Sequence, residues 1–334
     1  MSTIPTKTIS PIDLHWIPFD ALPIYCVSFS SSSIACASKV NIYYSNLEEP
    51  NPNQKSLKFN KEDQIRYLKW GIANPNFLLV ICQFHIAIVN TETNEISNFL
   101  ESPPETTCID GGWQNDGTFF LLFKGNSKEN AIFAEGDLVQ VYDSNLSLLY
   151  KFNLQKEAIR CATDGNILIF AHSNTCTVGK LSSEEPFFHK IKILHAFPTL
   201  ISNISIHSDS IIISDNRKVT IWDRDELFPL FTVKIQQENS GYSFSPDNKL
   251  GLSFGPEGSF LFVLNEDKSK QKFQKLPNDL ELPQIINCAS WTINPKTNEY
   301  YLFLGHEFTP RTNQLYQVVP CRSCTIIVIP MSSV

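Results

Sequence analysis

Four runs decide how this chain folds: Leu200-Ile201-Ser202-Asn203-Ile204-Ser205-Ile206, Ser210-Ile211-Ile212-Ile213-Ser214-Asp215, Lys218-Val219-Thr220-Ile221-Trp222-Asp223 and Leu230-Phe231-Thr232-Val233-Lys234-Ile235. Each is strand-sized and rich in β-branched residues, which suit a pleated, half-buried surface. Between them stand His207-Ser208-Asp209 and Asn216-Arg217, short polar stretches whose side chains turn the backbone locally. Consecutive strands joined this closely pair antiparallel, so the stretch predicts one small four-stranded meander.

The same four-part order recurs on both sides of this stretch. First-strand runs end at Phe29, Trp70, Trp113, Phe244 and Trp291, and Asp164 and His207 hold the matching place in two further copies. These seven points are spaced by roughly 37 to 51 residues, around the 40–45 of a propeller blade. Third strands keep the register at Val40-Asn41-Ile42-Tyr43, Ile86-Ala87-Ile88-Val89, Val139-Gln140-Val141-Tyr142-Asp143 and Phe260-Leu261-Phe262-Val263. The expectation is an all-β, seven-bladed β-propeller with four antiparallel strands per blade. Its approximate blades are 18–60, 61–101, 102–153, 154–194, 195–236, 237–277 and 278–330 plus 7–16, forming a single domain over 1–334.

Trp222-Asp223 at the end of a third strand, and Phe244-Ser245-Pro246-Asp247 after a first strand, resemble the signatures of WD40 repeats. Tyr142-Asp143 comes close to the same ending. The only Gly-His pair, Gly305-His306, follows a second strand instead of preceding a first one. The histidine–aspartate network typical of the family is therefore largely missing. The resemblance implies a propeller that binds other proteins and performs no catalysis.

Composition agrees with a folded strand protein. Hydrophobic residues make up 42% of the 334 and charged residues 18%, the reverse of a disordered balance. There are 24 Phe and only two Met. The net charge of −7 argues against nucleic acid as the main ligand, because holding a phosphate backbone requires a basic surface. The start, Met1-Ser2-Thr3-Ile4-Pro5-Thr6-Lys7, lacks the apolar run of a signal peptide. No stretch reaches the length of a membrane-spanning segment. Nine cysteines without regular spacing, seven of them in or beside apolar runs, read as reduced thiols of a cytoplasmic or nuclear protein.

A propeller must cover the strand edges of its first and last blades. The last copy supplies Ile285–Trp291, Tyr300–Leu304 and Thr325–Ile329, and no fourth strand remains before Val334. The N-terminal segment around Ile12, Leu14 and Trp16 is expected to complete it, with Pro11 at the strand's start or open side. A chain ending this soon after its last strand suits a complete small protein or a trimmed domain.

Two second-to-third-strand connections are long, Lys124–Asp137 and Gly305–Ser323. In a propeller, both emerge on the face that carries the connections between blades. WD40 proteins most often use that face for partners. Phe133, Glu135, His306, Phe308, Arg311 and Tyr316 are the candidate partner-binding residues there, since aromatic and arginine side chains dominate interface hot spots.

A search for chemistry returns little. Cys321-Arg322-Ser323-Cys324 has metal-site spacing, but zinc needs a second pair of ligands. The histidines fall in no H-E-x-x-H pattern, and no G-x-S-x-G or phosphate-cradling loop occurs. Glu184-Glu185 and Glu48-Glu49 read as solvated turns. The cluster Lys268–Lys275 reads as edge protection on an outer fourth strand, and no adjacent arginines supply the Phe-Arg-Arg-Gly motif of phosphoinositide-binding propellers. The expectation is a scaffold or adaptor subunit whose partners are other proteins, with no catalytic residue, metal or cofactor. Two alternatives stand beside it: the N-terminal propeller of a larger trafficking or complex-forming protein, and, disfavoured by charge, a lipid- or nucleic-acid-reading propeller.

Overall fold

The structure is a computed structural model. It describes residues 24–30, 33–38, 41–46, 55–58, 63–97, 99–125, 136–194, 199–207, 209–215, 218–234, 241–255, 258–264, 274–275, 282, 285–294, 296–306, 311–312, 318–319 and 324–330. Every regular element among them is a strand; no helix occurs, and so none long and apolar enough to cross a membrane.

The strands form a succession of antiparallel meanders. The first sheet contains β1 (Cys26–Phe29), β2 (Ser33–Ala37), β3 (Asn41–Asn46) and β4 (Lys55–Lys58) in that order. The second contains β5 (Ile65–Trp70), β6 (Phe77–Cys82) and β7 (His85–Asn90), with β8 (Glu95–Ile96) and β9 (Leu100–Glu101) both paired to β7. Its outer strand is thus split in two. Next to the break, Ser97 N–H donates to Ile88 O at 2.8 Å, and Ser97 Oγ accepts from Ile88 N–H at 2.8 Å.

Three sheets of four follow in the same order. They are β10 (Thr106–Trp113), β11 (Phe119–Gly125), β12 (Leu138–Tyr142) and β13 (Leu148–Asn153); β14 (Arg160–Thr163), β15 (Leu168–Ala171), β16 (Cys176–Leu181) and β17 (Phe188–Leu194); and β18 (Ile201–Ile206), β19 (Ser210–Asp215), β20 (Lys218–Asp223) and β21 (Pro229–Lys234). A sixth sheet holds β22 (Gly241–Phe244), β23 (Leu250–Gly255), β24 (Gly258–Val263) and β25 (Gln274–Lys275). In the last, β26 (Ile286–Asn294) and β27 (Glu299–His306) lead to a small hairpin, β28 (Arg311–Thr312) and β29 (Val318–Val319), before β30 (Cys324–Pro330) pairs with β27.

The strand ends agree closely with the sequence reading. β1, β5, β10 and β22 end on Phe29, Trp70, Trp113 and Phe244, and β14 and β18 stop just before Asp164 and His207. Only β26 runs on past Trp291. Aspartates make the turns: Asp164 Oδ1 accepts the N–H groups of Asn166 and Ile167 at 2.9 and 3.0 Å. Asp223 Oδ1 likewise accepts those of Asp225 and Glu226 at 2.9 and 2.8 Å, so the aspartate of the Trp-Asp pair closes its own turn. Trp222 Nε1, by contrast, is buried without a hydrogen-bond partner. Residues 7–16, expected to complete the last sheet, lie outside the described residues, and that sheet has three described strands.

The chain divides into two compact units, Met1–Leu68 with Gln237–Val334, and Lys69–Gln236. Within the first, β1 and β22 both lie against β26, so sheets from opposite ends of the chain pack together. Ile24, Ile34, Cys36, Tyr43 and Phe303 form a buried cluster there, with Phe29 and Phe303 at 5.9 Å between ring centroids. Asn287 Nδ2 donates to Ile24 O at 3.1 Å. Trp291 is buried against Leu250, Leu252 and Phe254.

Within the second unit, the first strands β10, β14 and β18 lie side by side. Phe120, Leu122, Val139 and Val141 pack on Cys161, Leu168 and Phe170. On the other face of that sheet, Ile169, Ala171, Cys176 and Val178 pack on Ile204, Ile211, Ile213 and Trp222. Trp113 stacks on Phe77 at 6.4 Å, and its Nε1 donates to Lys69 O at 3.0 Å. Alternating residues of one strand therefore serve two neighbouring sheets. Cys26, Cys36, Cys82, Cys108, Cys161 and Cys176 are buried in these layers.

Candidate functional site

The second unit carries a cavity of about 750 Å³ between the outer strands β13 and β17, within the roughly 300–1,000 Å³ typical of ligand pockets. Phe152 and Leu154 come from the β13 side, and Phe188 and Ile193 from β17. Phe187, from the connection before β17, stacks on Tyr150 at 4.9 Å. Lys156, Lys190 and Glu185 stand on its exposed rim.

A register shift builds the β17 wall. Gly179 pairs with Lys190 and Val178 with Lys192, so Ile191 is an extra residue, a β-bulge. Without it, Phe188, Lys190 and Lys192 would all face the groove. With it, Lys192 turns to the other face, where its Nζ donates to Leu227 O at 2.7 Å, and Ile193 joins the lining. Gly179 makes room for the wall: a Cβ there would sit 2.5 Å from the tip of the Phe188 ring. Phe188 thereby lies parallel to Phe152 at 6.0 Å and meets Phe170 edge-on at 5.3 Å.

The end of the groove is a clamp around residues 154–158. Asp137 O accepts the Leu154 N–H at 2.8 Å, and Asp137 Oδ2 accepts the Ala158 N–H at 2.6 Å. Burial pushes the Asp137 carboxyl up from its ordinary pKa, against the pull of the Ala158 N–H and Lys124. Lys124 Nζ reaches Glu157 Oε2 at 3.2 Å. From the next sheet, His172 Nδ1 lies 2.8 Å from Glu157 O and His172 Nε2 2.9 Å from Thr177 Oγ1. A carbonyl only accepts, which puts the proton of the neutral ring on Nδ1 and makes the Thr177 hydroxyl the donor to Nε2. Burial lowers the His172 pKa, and the nearby Lys156 charge lowers it further. Gly136 has φ 122°, and a Cβ there would meet Leu154 O at 1.8 Å. Both described ends of the 124–137 connection are thus tied to the groove's end.

Of the residues singled out from sequence, Phe133, Glu135, Phe308 and Tyr316 lie outside the described residues. Arg311 is in β28, and half-buried His306 ends β27. The two insertions belong to different compact units. Cys321 lies outside the described residues and Cys324 begins β30. Among the described residues no cluster of three or more His, Cys, Asp or Glu side chains is arranged to hold a metal ion. Gln274–Lys275, the end of the lysine-rich run, is the outer fourth strand of its sheet, paired to β24.

By sequence, no protein-family model and no curated protein matches the chain. By structure it is similar to U3-55K, with a TM-score of 0.67 and 13% identity over 94% of this chain and 97% of that one. The RRP9 WD40 repeats match with a TM-score of 0.67 and 13% identity over 94% and 96% of the two chains. A chain of the mitotic checkpoint complex matches with a TM-score of 0.62 and 12% identity over 99% and 96%. At such low identity the likeness speaks for the fold alone, and it agrees with the succession of antiparallel meanders. The chain has the β-propeller fold of WD40-repeat proteins.

Proposed function

We propose that this protein is a non-catalytic interaction scaffold, a subunit of a multiprotein complex in the cytoplasm or nucleus, whose partners are other proteins. The observation that carries this reading is an aromatic groove between two sheets of a WD40-type fold, with an insertion anchored at its end. One structural relative belongs to an assembly, the mitotic checkpoint complex, which agrees with a scaffold role.

The reading includes seven blades with the boundaries given above, residues 7–16 closing the last one. Deleting residues 1–17 then leaves an open strand edge. The shortened protein is expected to aggregate or to melt well below the parent; a soluble monomer with unchanged thermal stability overturns this closure.

The reading also assigns Phe133, Glu135, His306, Phe308, Arg311 and Tyr316 to partner contacts. Replacing residues 126–135 with a short Gly-Ser turn tests the first insertion. The replacement spares Lys124, Gly136 and Asp137, which hold the 154–158 clamp. Affinity capture from the native cell, read by mass spectrometry, is expected to lose at least one partner while the melting temperature stays unchanged. Recovery of the same partners by both forms moves binding away from this insertion. Recovery of none by the parent protein sinks the scaffold reading.

A further inference from the structure

We propose that the groove between β13 and β17 binds an extended acidic peptide segment bearing bulky apolar side chains, supplied by a protein partner. The inference rests on the scaffold reading and names the chemistry its ligand must have.

Charge is the first argument. The lining includes Lys151, Lys156 and Lys190 against one glutamate, Glu185, in a chain of net charge −7. Lys190 stands on the groove side because it shares the register of Gly179, and Lys156 is exposed on the clamped turn. A cationic rim on an acidic protein draws in anionic segments and repels basic ones.

The backbone is the second. β13 and β17 are each the terminal strand of their sheet, so each offers main-chain donors and acceptors along one edge. An extended segment can pair with such an edge while every second side chain enters the groove.

The floor is the third. Phe152, Phe188, Leu154 and Ile193 supply apolar surface. The two phenyl rings lie against one another, and Phe170 meets Phe188 edge-on. Ring faces already occupied in this way suit aliphatic and phenyl side chains packing beside them. They do not offer the open platform on which nucleobases stack.

The test is fluorescence anisotropy with the full chain and a short fluorescein-labelled peptide alternating acidic residues with Phe and Leu. Three further probes are the same peptide with Lys for every acidic residue, the same peptide with Gly for every Phe and Leu, and a single-stranded RNA oligomer. The parent protein is expected to bind the first probe best, and less tightly as salt rises. Lys156→Glu with Lys190→Glu is expected to weaken that binding about tenfold or more. Both lysines are exposed, so an unchanged melting temperature shows that the fold is kept; Lys156→Gln with Lys190→Gln is the milder pair should the reversal disturb it. Equal binding of the first probe by parent and variants overturns the proposal. So does binding of the Lys or Gly peptide, or of the RNA, as tight as that of the first probe. Affinity capture separates the two levels. If the peptide fails while parent and variants recover the same partners, the groove assignment falls and the scaffold reading stands.

Discussion

Phe170→Ala is expected to lose about 3–5 kcal/mol of stability, the cost of truncating a fully buried aromatic. The ring is 0% exposed, with Phe120 at 6.4 Å and Phe188 at 5.3 Å, both edge-on. These neighbours belong to two different sheets, and each sheet is held by its own ladder of hydrogen bonds. Neither can move inward far enough to fill the space, so both the transfer and the cavity terms apply in full. Guanidinium denaturation is the measurement. Leu148→Ala, on the exposed outer strand β13, is the control and should stay within about 0.5 kcal/mol of the parent. Phe188 also forms the groove wall, so the same variant should bind the acidic probe less well even at temperatures where it is fully folded. A loss below about 1 kcal/mol would mean that the two sheets do not depend on this contact.

Asp110→Ala should cost about 2–6 kcal/mol. Asp110 is 3% exposed and sits at a register shift in β10. One carboxylate oxygen accepts the Gly111 N–H at 2.9 Å, and the other accepts the Cys161 N–H, 51 residues away on β14, at 3.1 Å. Lys69 Nζ lies 3.6 Å from the first oxygen. Alanine leaves two buried donors unpaired, at about 1–3 kcal/mol each. Lys69 adds little, because its side chain is 38% exposed and water replaces the carboxylate. Asp110→Asn keeps one acceptor but turns an amide N–H₂ toward a donor, and should fall between alanine and the parent. Hydrogen exchange gives the local readout: protection of the Cys161 amide should drop in Asp110→Ala. Unchanged protection would show that another acceptor takes the proton.

Local chemistry, legible in the chain itself, sets the strands and their turns. Strand-sized runs that close on an aromatic mark the ends of β1, β5, β10 and β22 to the residue, and aspartates such as Asp164 and Asp223 mark turns because their side chains bond N–H groups two and three residues on. Cysteines in apolar runs were likewise readable as core. All of these depend on neighbours a few positions away.

The groove depends on neighbours much farther off. Period-two reading places Lys192 beside Lys190 and Phe188; one bulged residue, Ile191, reverses the faces beyond it and brings Ile193 to the lining. Nothing in Phe188–Leu194 announces that shift, since a register is a property of two strands and not of one. Asp110 is similar: within β10 it is the one charged residue, and its role appears only when Cys161 arrives beside it. The hairpin β28–β29 is not legible in the chain for a simpler reason, as two-residue strands are too short for any periodicity to show. Side-chain period and turn chemistry settle where each strand begins and ends. Which residues of two adjacent sheets share a cavity is settled by register and packing across dozens of residues, and that information resides in the folded chain.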